Sequence, residues 1–127
     1  MGLRVGTDIV RVDDVSASVA RFGDRYLARV FTPHEIASCT GAPTVAADSL
    51  AARFAAKEAT IKVLRPADAM PGWRTIEVRR HGSGWCELHL TGQAAELAAE
   101  AGITELAVGL THEGGYAVAV VLAQCAS

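Results

Sequence analysis

The stretch "LAARFAAKEATIKVL", residues 50–64, decides the fold of this 127-residue chain. It is rich in Ala and Leu and contains no Gly or Pro, so it predicts the longest helix of the protein. Asp48 or Ser49 is expected to cap its start. The same stretch holds both lysines of the chain, Lys57 and Lys62, whereas arginine occurs ten times in the sequence.

The two faces of this helix differ in character. Glu58 and Lys62 are four residues apart and therefore share one face, which Ala51 and Ala55 continue with small side chains that leave room beside the charges. The opposite face is expected to carry four apolar residues, Leu50, Phe54, Ile61 and Leu64. That apolar face predicts firm docking on a sheet. By spacing alone, Glu58 and Lys62 are either an ordinary surface ion pair or part of a charged functional site that the docked helix holds in place.

The segment at the start of the chain predicts one strand, followed by two short helices or by one kinked helix. The strand covers residues 3–12, and the helices cover residues 15–22 and 24–31. Asp13 or Asp14 is expected to cap the first helix, and Gly23 separates it from the second.

A third short helix is predicted from its start signals. Thr32 serves as the N-cap, Pro33 occupies the first helical position and Glu35 completes a capping box. Gly41 suits the far end of this helix, and residues 41–45 form a loop before the long helix.

The segment after the long helix predicts a strand-strand-helix-strand-strand unit. Its elements are strands over 73–80 and 85–91 around the turn "HGSG", a helix over 92–101, and strands over 105–110 and 116–123 across "THEGG". The sequence therefore predicts an α+β protein in one domain, residues 1–127, in which an antiparallel sheet packs on the long helix and additional short helices flank it.

Composition narrows the classes of function. The net charge of −2 gives no general attraction to nucleic acid or to an anionic membrane. Three scattered cysteines fit neither a disulfide framework nor a zinc site, which favours a reducing cytoplasm. The longest apolar run, residues 116–123, is too short to cross a bilayer, and the opening residues resemble neither an export nor a lipidation signal.

Four motifs in order give the sequence a family likeness. "VGTDIVRV", "FTPHE", "LAARFAAKEATIKVL" and "VGLTHEGGYAVAVV" together resemble the holo-acyl-carrier-protein synthase family, the small 4'-phosphopantetheinyl transferases. The resemblance covers nearly the whole chain and implies the 4'-phosphopantetheinyl transferase fold. It also implies transfer of the phosphopantetheine arm of coenzyme A to a serine of an acyl carrier protein, with release of adenosine 3',5'-bisphosphate.

The resemblance assigns roles to three charged residues. Asp8 and Glu58 are implied to be ligands of Mg²⁺, an ion that is commonly held by one or two carboxylates together with waters and substrate phosphates. Lys62 is implied to supply positive charge to the reacting phosphate, as a compact ammonium on a flexible stem can do. The general base stays open between Glu58 itself and a water held by the metal or by Glu58.

Further residues are implied to bind coenzyme A, the substrate. Arg53 and Lys57 are four apart on a neighbouring stripe of the helix, where the family faces coenzyme A phosphates. The alternative for both is simple solvation at the surface. His112 is implied to lie near the nucleotide, at its 3'-phosphate, although a single histidine in a hairpin turn is otherwise usually structural.

Partner recognition is expected to involve arginines near the start of the chain. Arg21, Arg25 and Arg29 recur every four residues and would form one basic stripe if their segment were a continuous helix. In the family this region binds the acidic helix beside the carrier's serine. The alternative is pairing within the chain to Asp24 or Asp13. The resemblance also implies a homotrimer with active sites at the subunit junctions.

Several positions depart from the family pattern. Residues 65–72 replace a Gly-Thr-Gly type of turn, Asp14 stands where a basic residue is common, Gly109 and Thr111 replace serines, and Cys86 replaces a frequent proline. Because these changes leave Asp8, Glu58 and Lys62 untouched, we expect an active enzyme. The changes predict an altered carrier preference, such as carriers of a polyketide or other specialised pathway rather than of fatty-acid synthesis. The competing hypotheses are a catalytically impaired carrier-binding or assembly subunit and a generic metal-dependent phosphohydrolase.

Overall fold

The computed structural model describes residues 2–40 and 46–126. The elements in these ranges are β1 (Gly2–Arg11), α1 (Val12–Phe22), α2 (Asp24–Val30), α3 (Pro33–Cys39), α4 (Ala47–Leu64), β2 (Ile76–Arg80), β3 (Cys86–Leu90), α5 (Gly92–Glu100), β4 (Ile103–Glu113) and β5 (Tyr116–Cys125). Among these helices, none combines the length and the apolar character needed to cross a bilayer.

The strands form two antiparallel sheets. One sheet has the order β1-β5-β4, and the other is the hairpin of β2 and β3. Asp8 on β1 pairs with Ala119 on β5, and His112 on β4 pairs with Ala117 on β5. The predicted α+β class and antiparallel pairing are confirmed, but the five strands divide between two hydrogen-bonded sheets.

Helix α4 lies at the centre and is buried almost all round, with 12 of its 18 residues in the interior. Ala51 and Ala55 have no exposed surface, so the prediction that they leave an open face beside Glu58 is wrong. Phe54 lies one turn before Glu58 and packs against Trp73 in a tilted arrangement with 5.2 Å between ring centroids, so its assignment to the opposite face is also wrong. Small alanines let the neighbouring elements approach the helix from several sides.

The capping box predicted for α3 is confirmed. The Thr32 hydroxyl accepts a hydrogen bond from the Glu35 amide at 3.2 Å, and a Glu35 carboxylate oxygen accepts one from the Thr32 amide at 2.9 Å. Pro33 occupies the first turn as expected. Gly41 and the loop predicted over residues 41–45 lie outside the described residues.

The caps predicted for α1 and α4 are wrong. Arg11 and Ala46 are the N-caps, and neither makes a capping hydrogen bond through its side chain. The acids Asp13, Asp14 and Asp48 instead lie within the first turn of each helix. A carboxylate in the first turn still interacts favourably with the positive end of the helix dipole. Acids are therefore common at helix starts even where they do not act as the N-cap.

Two boundaries later in the chain differ from the prediction. Residues Trp73–Thr75 form a 3-10 turn, and the strand begins only at Ile76. Strand β4 runs through Glu113, and only Gly114 and Gly115, both with positive φ, lie between it and β5. His112 therefore lies on a strand and not in the hairpin turn.

The helix α4 ends with an unusual left-handed cap. Arg65 has a φ of 53°, and its amide donates a hydrogen bond to the Ile61 carbonyl at 3.0 Å. Glycine normally occupies such a cap, since a side chain there costs about 1 kcal/mol. The loop over residues 65–72 thus keeps the glycine-type conformation without the glycine.

Gly6 brings β1 close to α4. A Cβ atom at this position would lie 2.2 Å from the carbonyl oxygen of Ala59 and 3.2 Å from the Cβ of Lys62. Since the nearest atom belongs to the helix backbone, no rotamer change can make space. Gly6 thereby sets the spacing between α4 and the strand that carries Asp8.

Gly6→Ala is expected to lower the free energy of unfolding by about 1–3 kcal/mol, because the strand must move away from the helix. Chemical denaturation monitored by circular dichroism measures this change. Gly2→Ala on the same strand is the matched control, since nothing lies within 4 Å of a Cβ built there. Equal stabilities of the two variants would contradict the close approach.

Candidate active site

Asp8, Glu58 and Lys62 meet where β1 crosses α4. The Lys62 ammonium donates a hydrogen bond to the Thr7 carbonyl at 2.6 Å and lies 3.3 Å from a carboxylate oxygen of Asp8. Asp8 and Glu58 line the same cavity of about 560 Å³. The structure therefore brings together the three residues that were predicted for the catalytic and metal roles.

The electrostatics of this cluster suit a cation. Partial burial raises the pKa of the Glu58 carboxyl, the neighbouring Asp8 charge raises it further, and the Lys62 ammonium opposes both effects. Two carboxylates that repel each other at one cavity favour a divalent ion between them. In the described ranges no group of three or more His, Cys, Asp or Glu side chains could hold a metal. Two acids facing open space fit Mg²⁺, which keeps waters and substrate oxygens as its other ligands.

The titration of Glu58 gives a direct prediction. In the metal-free protein its pKa is expected above the ordinary glutamate value, so the carboxylate forms only at higher pH than usual. Lys62→Met removes the opposing cation and is expected to raise this pKa further, whereas Asp8→Asn is expected to lower it. Carbon-detected NMR of the Glu58 side chain measures all three, and shifts in the reverse directions would contradict the stated causes.

A second groove of about 540 Å³ shares two lining residues with this cavity. Tyr26 and Phe54 line both spaces, and Arg25 and Arg29 of α2 border the second. Trp73 forms part of its wall. A carrier protein that reaches Glu58 from this side would meet two arginines beside an aromatic groove.

The predicted stripe of three arginines is interrupted. Gly23, with φ of 56° and ψ of −133°, separates α1 from α2. Arg21 lies on the far side of this break, with its guanidinium over the Phe22 ring at 5.1 Å from the centroid. All three arginines are exposed, and within residues 2–40 and 46–126 none forms a salt bridge with Asp24, Asp13 or any other acid.

Arg53 and His112 come together at a different pocket. Arg53 is 4% exposed, and its Nη1 donates to the Ser49 carbonyl at 3.3 Å, while its Nε has no hydrogen-bond partner in the described part of the chain. Arg53 and His112 line one pocket of about 230 Å³ with Arg80. The alternative of simple surface solvation is wrong for Arg53, because the residue is buried and lines this pocket.

Arg80 is a member of this pocket that the sequence reasoning missed. It ends β2 and pairs in register with Cys86 on β3, and both line the pocket. The available signal was the doublet Arg79-Arg80 at the end of a strand, since consecutive strand residues point to opposite faces. Arg79 instead pairs with Glu77 at 2.6 Å.

Lys57 is placed differently from the prediction. Its side chain has no exposed surface, and its ammonium lies 2.7 Å from a carboxylate oxygen of Glu35. It also donates to the carbonyls of Trp73, at 3.0 Å, and Ile76. Burial lowers the pKa of Lys57, and the Glu35 carboxylate opposes this effect. Both the coenzyme A contact and the surface alternative are wrong for Lys57, because all of its donors face the interior.

Comparisons with known proteins agree with this geometry. The family model "4'-phosphopantetheinyl transferase superfamily" matches residues 4–121. A holo-[acyl-carrier-protein] synthase of Moorella thermoacetica is 42% identical over 122 residues, which is 96% of this chain and 94% of that protein.

Solved structures show the same fold. The ACPS-CoA complex of Chronobacterium ammoniagenes matches with a TM-score of 0.86 and 31% identity over the full length of both chains. The Helicobacter pylori holo-[acyl-carrier-protein] synthase in complex with coenzyme A matches with a TM-score of 0.81 and 27% identity, covering 95% of this chain and 100% of that one. The fold and the sequence matches identify the class of protein as a phosphopantetheinyl transferase, which is an enzyme. The chain belongs to the holo-[acyl-carrier-protein] synthase family.

Proposed function

We propose that this protein transfers 4'-phosphopantetheine from coenzyme A to a serine of an apo-acyl-carrier protein in a magnesium-dependent reaction. The products are the holo-carrier and adenosine 3',5'-bisphosphate, the domain spans residues 1–127, and the reaction takes place in the cytoplasm. The position of Asp8 and Glu58 at one cavity, with the Lys62 ammonium 3.3 Å from Asp8, carries this proposal. The coenzyme A complexes of the two structural relatives support the choice of donor substrate.

The three charged side chains of the site have different proposed roles. Asp8 and Glu58 would hold Mg²⁺, which supplies neutralisation of the negative charge on the phosphates. Lys62 is half-exposed, with 53% of its side chain accessible, and its ammonium is held by the Thr7 carbonyl at 2.6 Å. From there it can bind a phosphate oxygen of coenzyme A without leaving the site.

The serine hydroxyl must lose its proton during transfer. Glu58 is suited to accept it, because a raised pKa brings a carboxylate closer to the basicity that efficient proton transfer needs. The proton passes either directly to Glu58 or through a water that Glu58 or the metal holds. Both routes use the same carboxylate, so loss of Glu58 removes a metal ligand in either case.

The pocket of Arg53, Arg80 and His112 would bind a phosphate of coenzyme A, namely the 3'-phosphate. Arg53 is buried, and its Nε has no hydrogen-bond partner among the described residues. Burying a charged group without a partner costs free energy, and a bound anion would offset that cost. His112 adds a second donor, and its Nδ1 lies 3.6 Å from a carboxylate oxygen of Asp48. Of the residues first predicted for coenzyme A, Arg53, Lys62 and His112 remain in this proposal.

Arg25 and Arg29 would dock the acidic surface of the carrier, with Arg21 beside them across the helix break. Their guanidinium groups are free of intramolecular salt bridges within the described ranges. The aromatic groove that they border shares Tyr26 and Phe54 with the cavity of Glu58. Charge at such a rim speeds association and makes it sensitive to salt.

A homotrimer is proposed from the outer face of the β1-β5-β4 sheet. Large apolar side chains stand exposed on it, namely Leu3, Val5, Ile9, Val120 and Leu122 with 69%, 63%, 64%, 43% and 43% of their surface accessible. Exposed apolar side chains that cluster on one face of a small protein are typical of a protein interface. Asp8 and Ile9 point to opposite faces of β1, so a subunit covering this face would contact the strand that carries Asp8.

Sedimentation velocity tests the assembly. The native chain is expected to sediment as a trimer, and Leu122→Asp on the exposed face is expected to give monomers. Val118 pairs with Ile9 across the strands and is less exposed, so Val118→Thr serves as a milder variant. A native protein that is monomeric at micromolar concentration would sink the trimer proposal.

The activity test is incubation with magnesium, coenzyme A and several apo-carriers from fatty-acid and polyketide pathways, followed by intact mass measurement. A phosphopantetheine adduct on at least one carrier is expected, together with adenosine 3',5'-bisphosphate. Carrier binding without any adduct, from folded and magnesium-loaded protein, would favour the assembly-subunit alternative instead.

A further inference from the structure

The pocket of Arg53, Arg80 and His112 also contains a thiol. Cys86 lies on β3 opposite Arg80 and lines this pocket together with Gly84 of the preceding turn. The side chain is partly exposed. A thiol beside two guanidinium groups and an imidazole has the electropositive, partly accessible surroundings of a reactive cysteine.

The other two cysteines lack these surroundings. Cys39 is 3% exposed and Cys125 is 9% exposed. Burial raises the pKa of the Cys39 thiol to about 11, so it forms little thiolate at neutral pH. Within the described residues, Cys86 is therefore the cysteine that an external reagent can reach.

The burial of Arg53 is a second observation, and it indicates that this pocket favours an anion. Arg53 is more than nine-tenths buried, and its Nε finds no partner among the described residues. None of the described residues that line this pocket is an acid, and Asp48, which is half-exposed, contacts His112 at 3.6 Å. One acid against two arginines leaves the pocket with a surplus of positive charge, which attracts negatively charged molecules to the thiol.

We propose that Cys86 is a site of reversible mixed-disulfide formation with an anionic low-molecular-weight disulfide, and that this modification closes the pocket to coenzyme A. The site itself follows from the positions of Cys86, Arg53 and Arg80. The closure rests on the proposed function of the pocket as a phosphate site. Modification would switch phosphopantetheine transfer off under oxidising conditions and restore it on reduction.

The reaction is a balanced thiol–disulfide exchange. The Cys86 thiolate attacks one sulfur of the small disulfide, a new sulfur–sulfur bond forms, and the second half leaves as a thiolate that takes up the proton lost by Cys86. No net oxidation occurs, since the incoming disulfide supplies the oxidised sulfur. A thiol reductant reverses the exchange and regenerates Cys86.

The charge of the reagent provides the test. Oxidised glutathione carries carboxylates, whereas cystamine is a cationic disulfide of similar reactivity, and both are incubated with the full chain. Intact mass and peptide mapping are expected to show an adduct on Cys86 that forms at least about tenfold faster with oxidised glutathione. Arg80→Gln is expected to reduce this preference, and Cys86→Ser is expected to abolish the adduct.

The functional arm measures coenzyme A binding by calorimetry before and after modification. The adduct is expected to abolish binding, dithiothreitol to restore it, and adenosine 3',5'-bisphosphate to protect Cys86 from the reagent. Absence of an adduct on Cys86, equal rates with the two disulfides, or unchanged coenzyme A binding by the modified protein would each overturn the proposal.

Failure of the proposed function gives a different result. A chain that modifies no carrier still reports adduct formation and nucleotide protection, since neither measurement requires transfer. The Cys86→Ser variant keeps Arg53, Arg80 and His112, so it is expected to bind coenzyme A whether or not the reagent is present.

Discussion

Lys57→Met is expected to lower the free energy of unfolding by about 3–5 kcal/mol, the cost of leaving a buried carboxylate without its partner. The ammonium of Lys57 and the carboxylate of Glu35 are 2.7 Å apart, and neither side chain has exposed surface. Glu35 also accepts hydrogen bonds from the Thr32 amide at 2.9 Å and the Val78 amide at 2.8 Å. The pair thus joins α3, α4 and β2 inside the protein.

Urea denaturation of matched variants measures this effect. Lys62→Met is the control, because its 3.3 Å contact with Asp8 is largely exposed and is worth at most about 1 kcal/mol. The double variant Lys57→Met with Glu35→Gln is expected to recover part of the loss, since it leaves no unpaired buried charge. A single Lys57 variant as stable as the Lys62 control would show that the interior pair does not hold these elements together.

Asp8→Asn is expected to lower kcat/KM for phosphopantetheine transfer by about 100-fold or more, which corresponds to about 3 kcal/mol of transition-state stabilisation. The substitution keeps the shape of the side chain and removes the charge that, as we propose, helps to hold Mg²⁺. Asp8 lies on a paired position of β1, so its backbone hydrogen bonds with β5 are retained. The loss should therefore appear in activity and metal affinity before it appears in stability.

The readouts are transfer followed by intact mass, and magnesium binding followed by calorimetry. Asp68→Asn, in the exposed loop after α4, removes one acid from the surface and is expected to change neither quantity. Full transfer by the Asp8 variant at low magnesium concentration would refute the proposed metal role. A loss of transfer with unchanged magnesium affinity would refute it as well.

The sequence predicted the centre of the site from two kinds of information, which are the spacing of residues along one helix and the order of motifs along the chain. Glu58 and Lys62 share a face of α4 by helical spacing, and the ordered motifs joined them to Asp8. The structure places all three at one crossing of strand and helix. The contacts at Gly6 show why the β1 motif has a glycine two residues before Asp8, since the Ala59 carbonyl occupies the space of a side chain.

The burial of Lys57 could not be predicted from the same pattern. In an alanine-rich helix every face is apolar enough to be interior, so periodicity does not distinguish the core from the surface. The buried position of Lys57 depends on its ion pair with Glu35. The sequence indicated that Glu35 caps α3, but it did not indicate this ion pair. Arg53 likewise depends on a pocket completed by Arg80 and His112 from two different sheets.

The interior position of α4 limits the local fluctuations of the proposed active site. Sites on loops or edges open by local fluctuations, whereas the residues around Glu58 belong to the part of the protein that is buried on nearly all sides. Their amide hydrogens are expected to exchange with solvent only when the whole molecule unfolds. The helix that carries Glu58 and Lys62 thus keeps one shape while substrates arrive and products leave, and turnover involves no assembly of this part of the site.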